Sequence, residues 1–218
     1  MQKIPMKLSI ANLLFYIFGI IFTALGVVLL LRGNLGVSPW DTLNYSLSEV
    51  TPLLYGDANF IISSSFVLFV TIVEKKWKYI FILVPIFLVT RLINLFNANL
   101  FLGAEYQTAV FNYLFFATGL FTLALGGSFM VISSFPAGIY EELMLTLMRI
   151  FKTDKLALTR VIMEVCVVLA AFIIGAFAGF WFGKINLGTI VISLSFGPIL
   201  NIILKTLKKL RTKKQLKI

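Results

Sequence analysis

Five charged side chains stand inside or beside long apolar runs, and they are the first candidates for chemistry: Asp41, Arg91, Glu141, Arg160 and Glu164. A charge placed within the hydrocarbon of a bilayer is expensive and normally has a partner or a task. Arg91 lies well inside an apolar run and is flanked by Thr90 and Asn94. Asp41 is expected to approach the same level and offers it a carboxylate partner; together they suit an anionic or polar solute, or simply a structural ion pair. Arg160 and Glu164 are four residues apart, one helical turn, and are expected to pair. Glu164, the deeper of the two, is the one placed to carry a proton. Glu141 sits where a carboxylate favours the N-terminal end of a helix dipole, while Glu142 beside it reads as an interfacial charge.

Other chemistry is narrowed by what the chain lacks. There is no histidine and one cysteine, Cys166, within an apolar run. A disulfide within the chain is impossible, and zinc, haem and iron–sulfur sites lose their usual ligands. Ser-His and Cys-His nucleophiles are excluded. No cofactor, metal or catalytic residue is expected. A lipid-modifying enzyme would need a pair of carboxylates deep in the membrane, and the apolar runs hold none.

The elements that carry these residues are set by composition. Apolar residues make up 60% of the 218 residues and charged ones 13%, about half the charge of an ordinary soluble domain. Six runs approach or exceed the length needed to cross a bilayer: approximately Ile10–Leu31, Asp57–Val73, Tyr79–Phe96, Val110–Ile132, Ala157–Phe182 and Leu187–Leu204. The second, with Ser63, Ser64 and Ser65, is the weakest. The first is too long for a signal-peptide core and has no small-residue cleavage site, so it reads as a retained span. The net charge of +10 does not indicate nucleic acid, because the basic residues fall in gaps between apolar runs and in the tail.

Their distribution sets the expected orientation. With the N-terminus inside, cytoplasmic segments hold Lys3, Lys7, Lys75, Lys76, Lys78, Arg149, Lys152, Lys155, Arg160 and seven tail residues, Lys205, Lys208, Lys209, Arg211, Lys213, Lys214 and Lys217. The other side holds only Arg32 and Lys184. Such an imbalance places both termini in the cytoplasm, and the basic tail, 205–218, against anionic lipid headgroups.

Two segments are helical but too short to cross. Ser38 suits an N-cap, Pro39 the first helical position and Asp41 a capping box, with Trp40, Leu43, Leu47 and Val50 following at helical spacing. The second, Gly138 to Ile150, carries Leu143, Leu147 and Ile150 on one face. These segments lie 100 residues apart, and so do their surroundings. Asn12, Gly19, Ala24-Leu25-Gly26, Leu43 and Leu47 match Asn112, Gly119, Ala124-Leu125-Gly126, Leu143 and Leu147, and Trp40-Asp41 faces Tyr140-Glu141. The expected fold is therefore a single all-α membrane domain, a six-helix transmembrane bundle. It consists of two inverted three-helix repeats, about 10–100 and 110–204, each with a short amphipathic or re-entrant helix. Gly175, Gly179 and Gly183 form a stripe that predicts close helix packing, within the bundle or in a homo-oligomer.

Inverted repeats with short or broken helices are a common plan for carriers. With Asp41 and Arg91 near one mouth, and Glu141, Arg160 and Glu164 near the other, the plan points to a small-solute secondary transporter. The alternative is a non-transporting accessory or assembly protein supporting another membrane or biosynthetic system.

The run Leu35-Gly36-Val37-Ser38-Pro39-Trp40-Asp41 resembles the signature of the YczE-like membrane proteins of the YczE/YyaS/YitT grouping. Arg160-x-x-x-Glu164, Leu187-Gly188-Thr189 and Gly197-Pro198 follow in the order and context of that family. Where similar sequences often carry Gly-x-Gly-Thr entering the third span, this chain has Trp77-Lys78-Tyr79-Ile80. The resemblance implies a bacterial multipass inner-membrane protein and no particular substrate or reaction.

Overall fold

The computed structural model of the chain describes residues 10–100, 108–133, 135 and 138–215. Lys3, Lys7 and Lys217, which entered the charge count, lie outside them. Every regular element among the described residues is helical: α1 (Ile10–Gly33), α2 (Pro39–Val50), α3 (Tyr55–Glu74), a 3₁₀ segment (Trp77–Ile82) leading into α4 (Leu83–Asn99), α5 (Ala109–Ser133), α6 (Ile139–Ile150), α7 (Leu156–Ala178) and α8 (Leu187–Gln215). Six of the helices are long and apolar enough to cross a membrane, the 3₁₀ segment and α4 together making one. Large apolar side chains such as Ile72, Phe81, Phe121, Leu169 and Leu194 point outward along them, a surface that only lipid can solvate.

The seam between α1 and α5 is the closest packing in the bundle. Gly19 lies against Met130, Gly26 against Leu123, Thr23 against Gly126 and Leu30 against Gly119, so the two helices run antiparallel. A β-carbon at Gly26 would fall 2.5 Å from the Leu123 nitrogen, and one at Gly19 2.8 Å from that of Met130. In lipid there is no hydrophobic drive between helices, and such small-residue contacts are what bring backbones together. α4 flanks α1, α8 flanks α5, and the short α2 and α6 pack against α7 and α3 respectively. α3 and α4 pack on one another, whereas α7 and α8 barely touch among the described residues.

One end of the bundle gathers Arg32, Tyr55, Asn97, Asn112 and Lys184, and is called here the Arg32 face. The other holds Lys75, where α3 ends in a left-handed cap, and the ends of α5 and α6. At the Arg32 face the chain turns back on Gly36 (φ 131°), where a β-carbon would strike the backbone of Gly188 and Thr189 of α8, while the Gly188 N–H donates to the Leu35 carbonyl at 2.9 Å. Only glycine accommodates both that φ and that approach. The turn aims the start of α2 back into the bundle. There the first turns of α2 and α6 meet: Trp40 stacks on Tyr140 with ring centroids 4.1 Å apart, and the Tyr140 hydroxyl lies 3.2 Å from that of Ser63, close to the middle of the 20-residue α3.

Two expectations are corrected. The fifth span ends at Ala178, not Phe182, because Gly179 takes a left-handed conformation (φ 84°) and its N–H closes back on Ala176, a common helix stop. Phe180 and Trp181 then donate to the Gly175 carbonyl and Gly183 sits in a further turn (φ 51°). Gly175, Gly179 and Gly183 are thus a helix terminus rather than a packing stripe. The basic tail, meanwhile, has no boundary at Leu204: α8 runs on through it to Gln215.

Candidate functional site

The site grows from the first turn of α2. Ser38 caps the helix, its hydroxyl accepting from the Asp41 N–H at 3.3 Å and donating to the Asp41 carboxylate at 2.6 Å. Capping thus explains why Asp41 is there. It does not explain the rest of its surroundings. The other carboxylate oxygen accepts from the Tyr55 hydroxyl at 2.6 Å, and the residue is only 6% exposed. Among the described residues no Lys or Arg pairs with it.

One helical turn along, Asn44 is fully buried with its amide close to Asp41, Tyr55 and Tyr140, yet none of these contacts has hydrogen-bonding geometry. Tyr140 shares a hydrogen bond with Ser63, which donates to Asn59 at 3.1 Å. Trp40, Phe66 and Tyr140 close the cluster on the side away from the Arg32 face. The result is a polar island of hydroxyl, carboxylate and amide groups that reaches from Tyr55 at the start of α3 to Ser63 near its middle and is walled by aromatic rings.

On the Arg32 face a cavity of about 740 Å³ opens above this island, with Tyr55 in its lining. Its charged residues are Arg32, Glu49 and Lys184. Lys184 donates to Asn34 at 2.6 Å and to the Leu31 carbonyl at 3.3 Å, with its ammonium over the Tyr45 ring. Burial lowers its pKa below the ordinary lysine value, against the opposing pull of Glu49 and with that of Arg32.

The remaining expected site residues do not join Asp41. Arg91 pairs with Asp57 at 3.0 Å, not with Asp41, and its guanidinium lies over Phe87 on the outer surface of the bundle, 55% exposed. The reason is register: Asp57 stands on the adjoining face of α3, while Asp41 is turned inward to Tyr55. Glu141 is exposed, its carboxylate folded back over the α6 N-cap at Gly138, in keeping with a helix-dipole role. Arg160 and Glu164 do pair, at 2.9 Å. Arg160 extends toward Gly197 of α8, across the gap between α7 and α8. No ion pair or hydrogen bond among the described residues joins Glu141 to that pair.

Sequence reasoning missed Asn44, Tyr55 and Tyr140 as site residues. Tyr140 alone left a trace, as the counterpart of Trp40 at the 100-residue offset. It also missed Glu74, whose nearly buried carboxylate takes Arg149, Lys76 at 3.4 Å and Thr146 at 3.3 Å, tying the end of α3 to the end of α6.

Residues 10–205 match the family described as "Family of unknown function (DUF6198)". The chain is 30% identical over 188 residues to the "Uncharacterized membrane protein YczE" of Bacillus subtilis (strain 168), a match covering 85% of this chain and 82% of that protein. No solved structure matches.

Proposed function

The chain belongs to the DUF6198 family of membrane proteins, and we propose that it is a small-solute secondary carrier of the bacterial cell membrane, with its site where the N-termini of α2 and α6 meet. The observation that carries this reading is the polar island around Asp41 and Asn44, buried between the start of α3 at Tyr55 and its middle at Ser63 and beneath an open cavity. A polar cluster at that depth costs stability in a membrane protein and is normally kept for a ligand.

The reading also rests on two inverted halves, each a span, a re-entrant helix and two spans. A rotation that exchanges positions 100 residues apart carries the Gly19–Met130 contact onto Leu30–Gly119 and Gly26–Leu123 onto Thr23–Gly126. It carries α2 on α7 onto α6 on α3, and brings Trp40 onto Tyr140, the very ring it stacks on. A site on such an axis is the usual place for a carrier's substrate.

The imbalance of basic residues supports an orientation with the Arg32 face outward, both termini cytoplasmic and the basic end of α8 against anionic headgroups. In that orientation the cavity opens outward, while the Trp40–Tyr140–Phe66 plate and the Glu74–Arg149 tie close the path inward.

The test is a broad solute screen on purified protein, by thermal stabilisation and by uptake into liposomes. A true substrate stabilises the wild type and is taken up; Asp41→Asn and Asn44→Ala lose both responses, whereas Arg91→Ala keeps them. A screen in which no solute stabilises or accumulates removes the carrier reading.

A further inference from the structure

We infer that the oxygen cluster formed by Asp41, Asn44, Tyr55 and Tyr140 binds a single sodium ion. The site is the one on which the carrier reading rests, but ion binding is measured without any solute, so the two fail separately.

Asp41 is 6% exposed and its carboxylate contacts only hydroxyl and amide groups. Neutral donors lessen the cost of burying a carboxylate but supply no opposite charge, and a buried charge without one is strongly unfavourable. Every Lys and Arg in an ion pair among the described residues is paired elsewhere.

Hydrogen-bonding capacity points the same way. Asn44 is 0% exposed and its amide lies against the oxygens of Asp41, Tyr55 and Tyr140, but neither of its polar atoms meets any of them in hydrogen-bonding geometry. Buried amides are almost always satisfied, and an exception calls for an explanation. Around it the spare capacity is mainly accepting. Each Asp41 oxygen has a lone pair beyond the hydroxyl it accepts, Tyr55 donates its only proton to Asp41, and Tyr140 and Ser63 share one hydrogen bond. The unused donors are those of the Asn44 amide.

A site rich in acceptors, with one negative charge and oxygen donors throughout, matches a hard cation. One carboxylate balances a monovalent ion, whereas a divalent ion would leave a net positive charge in the apolar interior. The described residues contain no cluster of three or more His, Cys, Asp or Glu that would suit a divalent ion. The positive ends of the α2 and α6 dipoles oppose any cation nearby, so the Asp41 carboxylate, in the first turn of α2, has to dominate the field. Enclosure between Tyr55 and the Trp40–Tyr140 pair favours a small ion, and Tyr55, which also lines the outer cavity, is the point of entry.

The experiment compares thermal unfolding of the detergent-purified full chain in NaCl, KCl and choline chloride at equal ionic strength and fixed pH, with no added solute. Sodium is expected to raise Tm saturably, by about 5 °C or more once it exceeds its Kd about 100-fold, while potassium and choline do not. Asp41→Asn and Asn44→Leu abolish the rise, and Asp57→Asn, at the exposed pair with Arg91, preserves it. Equal Tm in the three salts overturns the inference, as does a sodium effect that survives in both site variants, or a Tm that responds only to acidification. Where the Asp41 variant does not fold, the wild-type salt comparison and sodium-23 line broadening in the presence of the protein decide the matter by themselves. Sodium stabilisation without uptake of any solute keeps the ion site and removes the carrier; uptake without a sodium effect does the reverse.

Discussion

Asp41 is held in place by two hydroxyls and, among the described residues, no cationic side chain, so its neighbours carry more weight than their own chemistry suggests. Removing the Tyr55 hydroxyl leaves a buried carboxylate one donor short. Tyr55→Phe is therefore expected to cost about 1.5–3 kcal/mol, the range for a hydrogen bond to a charged group, read as a lower midpoint of denaturation in detergent. Arg91 behaves in the opposite way. Its pair with Asp57 is about half exposed, and exposed ion pairs contribute about 0–1 kcal/mol. Arg91→Ala should shift the same midpoint hardly at all. The contrast is instructive because Arg91 was the clearer charge within an apolar run, whereas Asp41 was already accounted for by its capping position. Which of them is buried depends on the helix facing each one, and an isolated run of residues does not encode that.

At the scale of elements, the α1–α5 seam and the tie between α3 and α6 make separate predictions. A side chain at Gly26 would strike the Leu123 backbone, which cannot move without displacing α5. Gly26→Val is expected to destabilise by about 1–3 kcal/mol or to prevent folding. At Gly127 a β-carbon would meet the end of the Leu200 side chain at 3.1 Å, a group able to rotate away, so Gly127→Ala should remain close to wild type in the same unfolding assay. The tie at the other face depends on Glu74, whose side chain is 9% exposed. Arg149→Ala strips its principal partner, and a loss of about 1.5–3 kcal/mol follows; Glu74→Gln/Arg149→Ala together should lose less than the sum of the two single changes, because the double variant leaves no charge stranded. The helices themselves were legible in advance: the Ser38-Pro39-x-Asp41 cap fell where expected. The glycine stripe at Gly175, Gly179 and Gly183 misled, because glycine spacing alone does not distinguish a packing face from a helix stop.

For the whole molecule the testable quantity is orientation. In a Cys166→Ser background, a cysteine replacing Ser48 in the Arg32-face cavity is expected, in the proposed orientation, to react with a membrane-impermeant maleimide in intact cells. One replacing Thr153, between α6 and α7, should react only after permeabilisation; the reverse pattern would invert the topology. The sequence by itself determined that this is a membrane protein with six candidate spans, that two short helices interrupt them, and that basic residues gather in the tail and in particular gaps between the apolar runs. These follow from local composition, since run length, capping residues and charge spacing are properties of consecutive residues that survive any packing. It also held the 100-residue offset, which pairs Trp40 with Tyr140 in the sequence, and those two rings stack. Only the tertiary structure decided where charge is buried. Asp41 met Tyr55 rather than Arg91, Glu74 met Arg149, and an asparagine with no local signal came to rest beside the carboxylate without a well-formed hydrogen bond. Those outcomes depend on which faces of α2, α3 and α6 converge, and that is settled by close contact between helices remote in the chain.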